Sequence, residues 1–554
     1  MATKKIKIQS PENYDRFIDD KERRNKGQFY TPKIFADYAH KMISEVLGDN
    51  WKDEYVVWDN CCGTKNLTRD YKFKELYCST LEKTELDISA QFNTEAVSFQ
   101  FDFLNEHIAG RDCLSGVYDD KLPKGLKDAL LENKPIVFFI NPPYGKATGV
   151  YDGGIDASVS DTMVKKQMQK EKIEGSDLIK QFLWRIVDIK RKFNLTNLYI
   201  ACFTKPTWLI KQQSENFRKL FLSNFEYQKG VMFCAGEFAD VSSSWGITFN
   251  IWKSGNSKER NNFTHQLIEN NNGEIKIIGD KVLCNFDGLN VKTTCNFISE
   301  KLGKKHKEKI VYCKDIKKFE FAVDYANIFD EYISTITCAG NAIQENNFTC
   351  IRNIFPKNGG SIMQLTKKNI FESCIVHSIR TIITTNWVID KDLYNMNVDI
   401  PISFRNDAFV YSMFGNYCCS VKIGNDQLKN EFFWMSKSEI ESLALKYDND
   451  DCFNDAHSSS ERFVYTKLQD ISLSPEAQAV LDKANDIVRK TFKYREQFNQ
   501  EHPEVQINNW DCGFYQIKML CREYMPELLK EFKEVYKALA DKMRPMVYEL
   551  GFLK

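Results

Sequence analysis

Two consecutive prolines, Pro142 and Pro143, interrupt the chain just after the apolar run Ile136-Val137-Phe138-Phe139-Ile140. The run, opened by Pro135, reads as a buried strand. Proline offers no backbone N–H and fixes its own φ, so the strand ends at Asn141. Its exit is a rigid Asn141-Pro142-Pro143-Tyr144. In an open α/β sheet, the carboxyl ends of strands are where ligands bind. There the Asn side-chain oxygen and a proline carbonyl are acceptors, and the Tyr ring is a stacking face. The four residues can grip a planar group bearing an amino nitrogen, such as the exocyclic nitrogen of a nucleobase.

The surrounding pattern fits such a sheet. Strand-like segments are expected at 55–58, 76–81, 97–101, 136–140, 197–203, 230–234 and 246–252, with helices at 32–47, 176–193 and 216–221. Strands alternating with helices predict a mostly parallel, doubly wound α/β sheet. The last two strands are close enough in sequence to form an antiparallel edge pair. Residues 145–176 carry Gly145, Gly149, Gly153 and Gly154 and read as a long loop ending in a basic run. After about residue 256 the texture changes. Asn261, Asn262 and Asn270-Asn271-Asn272 suggest a linker, a mixed α+β region follows, and the end is strongly helical. The expected domains are therefore 1–255, 256–470 and 471–554.

At 554 residues the chain is too long for one ordinary core. Its 43% hydrophobic and 13% aromatic content excludes a disordered protein. No apolar run has the length of a membrane span, and the charged start lacks the apolar stretch of a signal peptide, so a cytoplasmic protein is expected. The 17 cysteines are scattered without Cys-x-x-Cys pairs, and no metal site is expected. The 76 basic and 76 acidic residues cancel, so any nucleic-acid contact has to be local. Basic stretches at 21–26, 165–172 and 301–309 are candidate patches that read first as solvated surface.

Several other positions carry chemistry. Asp59-Asn60-Cys61-Cys62-Gly63-Thr64-Lys65-Asn66 follows the first strand, and a turn of small residues around Gly63 lets the backbone approach a ligand. Glu82 follows the second strand, where an acid commonly holds ribose hydroxyls; Glu85 and Asp87 compete for that role. Asp102 and Phe103 follow the third, an acceptor beside a ring.

In this order the series resembles the S-adenosylmethionine-dependent DNA adenine-N6 methyltransferases of the γ arrangement. Gly27-Gln28-Phe29-Tyr30-Thr31-Pro32 resembles the family's first element, Asp59 to Asn66 its cofactor loop, and Asn141 to Tyr144 its catalytic loop. Ser176-Asp177-Leu178-Ile179-Lys180-Gln181-Phe182 and Ala201-Cys202-Phe203-Thr204-Lys205-Pro206 resemble later stations. The segment from Phe404-Arg405-Asn406-Asp407-Ala408-Phe409-Val410-Tyr411 to Phe432 is loosely similar to larger members. One position departs: the family usually has a small residue where Lys65 stands, and Lys65 either folds outward or reshapes the pocket.

The resemblance implies a Rossmann-like catalytic domain and a target-recognition domain reading double-stranded DNA. Tyr30, Thr31, Asp59, Gly63, Glu82, Asp102 and Phe103 would hold S-adenosylmethionine, and Asn141, Pro142, Pro143 and Tyr144 would be catalytic. The target adenine would be flipped out of the duplex. A cytosine-N4 enzyme would more often carry Ser in place of Asn141. A cytoplasmic, nucleoid-associated enzyme, bacterial or phage-encoded, follows, in restriction-modification, phage defence or self-protection, with a separate restriction endonuclease as a partner. With 26 residues ahead of Gly27, a fused N-terminal nuclease is not expected. The rival readings are a methyltransferase acting on RNA or a protein glutamine, and a DNA-binding protein whose cofactor site has decayed.

Overall fold

The computed structural model describes residues 30–111, 121–144, 161–238, 241–315, 320–352, 361–415, 421–423, 428–429, 431–447, 461–503, 505, 507 and 513–553. The chain forms two compact units, residues 1–289 with 386–391, and residues 290–385 with 392–554. No helix among the described residues is long and apolar enough to cross a membrane. The basic stretch 21–26, residues 27–29 of the first element and the glycine-rich part of the expected loop, 145–160, lie outside the described residues.

In the first unit the strands are β1 (Val56–Asp59), β2 (Leu76–Thr80), β3 (Val97–Gln100), β4 (Ile136–Ile140), β5 (Leu198–Thr204), β6 (Phe225–Cys234), β7 (Gly246–Ser254), β8 (Asn262–Asn271) and β9 (Glu274–Cys284). Among the described residues these nine form one sheet, ordered β3-β2-β1-β4-β5-β7-β6-β8-β9. β1 to β5 pair in parallel. The helices are α1 (Lys33–Leu47), α2 (Trp51–Glu54), α3 (Lys83–Ser89), α4 (Lys124–Leu131), α5 (Met163–Lys170), α6 (Leu178–Phe193), α7 (Thr207–Ile210) and α8 (Glu215–Leu222). This is the doubly wound, Rossmann-like sheet that the alternation predicts. Every β4 residue is at most 1% exposed, as its unbroken apolar run requires. α6 is set locally. Asp177 accepts the Ile179 N–H at 3.1 Å at its start, and Asn194 ends it in the left-handed region beside Lys190, Arg191 and Lys192.

Three expectations are corrected. β6 and β7 are antiparallel, but β7 lies between β5 and β6 in the interior, not at the edge. The edge is the β8–β9 hairpin, built from the Asn-rich stretch read as a linker. Asn272 and Gly273 both have positive φ, 53° and 93°, the pair a type I′ turn needs. The first unit therefore runs past 255 to Leu289. The stretch 161–176 is not all loop, because the basic run lies on α5, capped by Thr162 and anchored by buried Val164 and Met168.

The second unit is mixed α+β. Its sheets are β11 (Glu320–Phe329), β10 (Lys305–Asp315), β15 (Val421–Ile423) and β16 (Leu428–Lys429) in that order, and β13 (Cys350–Arg352), β12 (Tyr332–Thr337) and β14 (Ile362–Thr366). Its helices are α9 (Thr294–Ser299), α10 (Ile370–Ile382), α11 (Ile402–Gly415), α12 (Lys437–Lys446), α13 (Phe463–Gln469), α14 (Pro475–Thr491), α15 (Arg495–Glu501), α16 (Phe514–Tyr524) and α17 (Pro526–Glu549). Residues 471–554 fall in the same compact unit as 290–385 and 392–470. α17 packs on α10, α11 and α14, and Asp407 of α11 accepts from Ser474 at 2.7 Å and pairs with Lys542 at 2.9 Å.

Candidate active site

Strand order reverses between β1 and β4, whose neighbours run outward in opposite directions. In a doubly wound sheet a crevice opens outside the carboxyl ends of two such strands. A cavity of about 420 Å³ lies there, within the range of small-molecule sites. It is lined by Tyr30 and Thr31, the Asp59–Gly63 turn, Asn66 and Leu67, then Thr80, Leu81, Glu82 and Glu85 beyond β2. Residues 101–105, Asn141, Pro143, Thr162, Leu178 and Phe182 complete it.

All seven residues expected to hold a cofactor thus share one cavity. Of the tetrapeptide, Asn141 and Pro143 line it; Pro142 and Tyr144 do not. Glu82 and Glu85 both face it, whereas Asp87 does not. Glu85 is 3% exposed and accepts the Thr80 hydroxyl at 2.5 Å and the Tyr30 hydroxyl at 3.4 Å. Asn60 and Phe182 lie within the quoted motifs but carried no role of their own, and Thr80, Asn105 and Thr162 were not singled out from sequence; only their places beside strand and helix ends pointed to them.

The turn after β1 leaves polar atoms unsatisfied. Asp59 Oδ1 accepts the Cys61 N–H at 3.4 Å, but Asp59 Oδ2 and both amide atoms of Asn60 have no partner among the described residues. Both side chains are 1% exposed. Burial, with the Cys78 thiol nearby, pushes the Asp59 carboxyl well above the usual carboxylate range. Buried polar atoms without partners are costly, so a wall of this kind suits a ligand carrying donors or a positive charge. Gly63 has φ 48°, and a Cβ there would come within 3.2 Å of the Tyr30 ring. Glycine lets the turn close on that ring without displacing it.

Lys65 also sits in the left-handed region, with φ 63°. It is 2% exposed and does not line the cavity; its ammonium donates to the Phe92 carbonyl at 3.0 Å. Of the two possibilities left open, Lys65 turns away from the pocket.

Asp102 is engaged by its own turn. Its Oδ1 accepts the Leu104 and Asn105 N–H groups at 3.1 Å each, and Oδ2 accepts the Asn105 amide at 2.8 Å. Asn105 in turn accepts the Met163 N–H at 2.9 Å, tying the end of β3 to α5. Phe103 stacks on Phe182 at 5.4 Å and meets Trp58 edge-on at 5.6 Å.

The tetrapeptide is held by distant residues. Asn141 Nδ2 donates to Thr31 Oγ1 at 2.9 Å, and the Tyr144 hydroxyl donates to Asn141 Oδ1 at 2.8 Å. The Tyr144 ring is 4% exposed and packs edge-on against Trp245 at 6.0 Å. In this arrangement the acceptor expected to take an amino hydrogen is bonded to Tyr144. Among the described residues, the cluster able to share a cation is Glu501, His502 and Glu523, in the second unit, where His502 already lies 2.9 Å from Glu523.

No protein-family model matches the chain, and no curated protein matches it. Partial likeness is found to solved structures. One is a modification subunit provisionally assigned to a type I restriction enzyme of Vibrio vulnificus YJ016, with 15% identity, 48% of this chain and 52% of that one, and TM-score 0.30. Another is the type I restriction-modification methyltransferase subunit of Streptococcus thermophilus, with 14% identity, 45% and 50%, and TM-score 0.29. A protein of Pyrococcus horikoshii provisionally described as an RNA methyltransferase has 13% identity, 42% and 88%, and TM-score 0.24. The chain spans about half the length of the two modification subunits. Likeness this partial carries no argument about activity.

Proposed function

We propose that the chain is a site-specific DNA methyltransferase that moves a methyl group from S-adenosylmethionine to N6 of an adenine flipped out of duplex DNA. The observation that carries the reading is the shared cavity. Buried Asp59 Oδ2 and the Asn60 amide, without partners among the described residues, stand in the same wall system as Asn141, which opens the Asn-Pro-Pro-Tyr exit of β4.

The residues fit the cofactor. Asp59 and Asn60 offer acceptors to its amino group, and Gly63 leaves room beside the Tyr30 ring. Glu82 and Glu85 offer carboxylates to ribose hydroxyls, and Asp102 and Phe103 border the remaining wall. When bound, S-adenosylmethionine supplies a methyl group activated by its sulfonium.

The chain's own part is orientation. Asn141 Oδ1 and the Pro142 carbonyl would accept the two N6 hydrogens and turn the nitrogen lone pair out of the ring plane. The Tyr144 ring would turn, its hydroxyl leaving Asn141 Oδ1, to stack on the flipped base, a contact worth about 1–3 kcal/mol in comparable sites. The unit of residues 290–385 and 392–554 would read the DNA sequence in this scheme. A separate restriction endonuclease is the partner a restriction-modification role implies.

Transfer of tritium from labelled cofactor to DNA, RNA or protein tests the substrate. Label in DNA adenine is expected, and label in RNA or a glutamine alone overturns the DNA reading. Calorimetry tests the decayed-site reading, which Lys65 motivated and its course away from the pocket weakens; heat on adding S-adenosylmethionine is expected. Asn141→Ala should abolish transfer while leaving that heat.

A further inference from the structure

Lys205 leaves the end of β5 beside the end of β4, because Ile140 and Cys202 are paired in neighbouring parallel strands. Its ammonium reaches back to the tetrapeptide. It donates to the Tyr144 carbonyl at 3.0 Å, and it lies 5.6 Å from the Tyr144 ring centroid and 4.7 Å from that of Trp245. A lysine ammonium is compact and has three donors, so it can serve a carbonyl and still face two rings.

The need for such a residue follows from the methyltransferase reading, on which this inference rests. For the Tyr144 ring to turn and stack on a base, its hydroxyl has to leave Asn141 Oδ1. The Tyr144 side chain must turn while the backbone carrying Asn141 and Pro142 stays in place. Thr31 holds the front of the tetrapeptide through Asn141. Lys205 holds the back through a main-chain oxygen, a contact that side-chain rotation does not break.

We propose that Lys205 is a positioning residue for methyl transfer, fixing the Tyr144 carbonyl so that the Tyr144 ring moves without the loop. The full-length protein is compared with Lys205→Met, Lys205→Gln and Lys205→Arg. The readouts are S-adenosylmethionine binding by calorimetry, steady-state methylation, and fluorescence of 2-aminopurine placed at the target adenine of the motif that sequencing of DNA methylated by the wild type defines. Lys205→Met is expected to bind cofactor as the wild type does and to lower kcat about 10- to 100-fold, the scale of a small misplacement of reacting groups. KM for DNA should change little, the 2-aminopurine signal should develop more weakly, and Lys205→Arg should recover most of kcat, with Lys205→Gln between. An unchanged kcat in Lys205→Met overturns the inference. So does Lys205→Arg as impaired as Lys205→Met, or cofactor binding lost in step with kcat. A wild-type protein that transfers no methyl to DNA overturns the functional reading and this inference together.

Discussion

At the scale of single residues, Asp59 makes the most direct prediction. Its carboxyl is held high by burial, with one oxygen unpartnered. A cationic amino group brought beside it favours the charged form, so ligand binding should expel a proton while the free carboxyl is protonated. Affinity for S-adenosylmethionine is therefore expected to rise as pH climbs toward the free-state pKa of Asp59 and to level off above it. Calorimetry in buffers of different ionisation heat should detect the released proton, and Asp59→Asn should remove it and weaken binding by about 1.5–3 kcal/mol, the worth of a charged hydrogen bond. Lys65 behaves oppositely. Lys65→Met loses the bond to the Phe92 carbonyl and should cost about 1–3 kcal/mol of stability in a denaturant titration, with cofactor affinity unchanged. A large loss of affinity in that variant would return Lys65 to the pocket. Residue type and local order made Asp59, Gly63 and Asn141 legible in the sequence, because each sits at a strand end. The bonds that hold the site were not legible. Thr31 and Asn141 are 110 positions apart, and Lys205 is 61 from Tyr144, separations that only the folded sheet closes.

The elements were readable to the extent that they are buried. β4 and β5 are buried throughout, and their residues, apolar in β4 and apolar up to Thr204 in β5, announced it. β9 is mostly exposed, so it shows no alternation, and the Asn-Gly of its turn was the better signal. β8 is fastened by His265, whose Nε2 lies 2.7 Å from Asn250 Oδ1 of β7, within a shell of Tyr227, Trp252 and Phe263. Burial lowers the His265 pKa from 6.5 to about 4. The folded pKa lies below the unfolded one, so this contribution is fully present above pH 6.5 and is lost as pH falls toward 4. The loss should approach about 3 kcal/mol, one proton taken up on unfolding across a gap of that size. Urea midpoints between pH 7 and pH 4 should fall more steeply for the wild type than for His265→Gln. Equal slopes would mean that the hairpin is not fastened through a neutral imidazole.

For the whole molecule, the question is where the catalytic unit ends. The composition shift after residue 255 is real, but it marks the turn from buried strands to an exposed hairpin, not a boundary between cores. Arg218 on α8 shows why the chain beyond 255 belongs to the first unit. Its guanidinium is fully buried, donates to the Trp208 and Lys211 carbonyls at 2.7 Å each, and grips Asp287 with two bonds of 2.7 and 2.5 Å. A buried guanidinium stripped of its carboxylate is left uncompensated, at a cost of about 3–5 kcal/mol. Asp287→Ala should therefore lower the stability of the first unit by that amount in a chemical-denaturation curve followed by S-adenosylmethionine protection, which reads this unit alone because every residue lining the cavity lies within it. Truncation makes the same argument more severely. A fragment ending at 255 loses Asp287 and Phe263 of β8, which covers Tyr227 and Trp252, and should be insoluble or bind no cofactor. One ending at 289 keeps both and should bind it, weakened only by loss of residues 386–391, whose Trp387 carbonyl lies against Gly246. Equal behaviour of the two fragments would place the boundary back at 255 and make β8 and β9 an appendage.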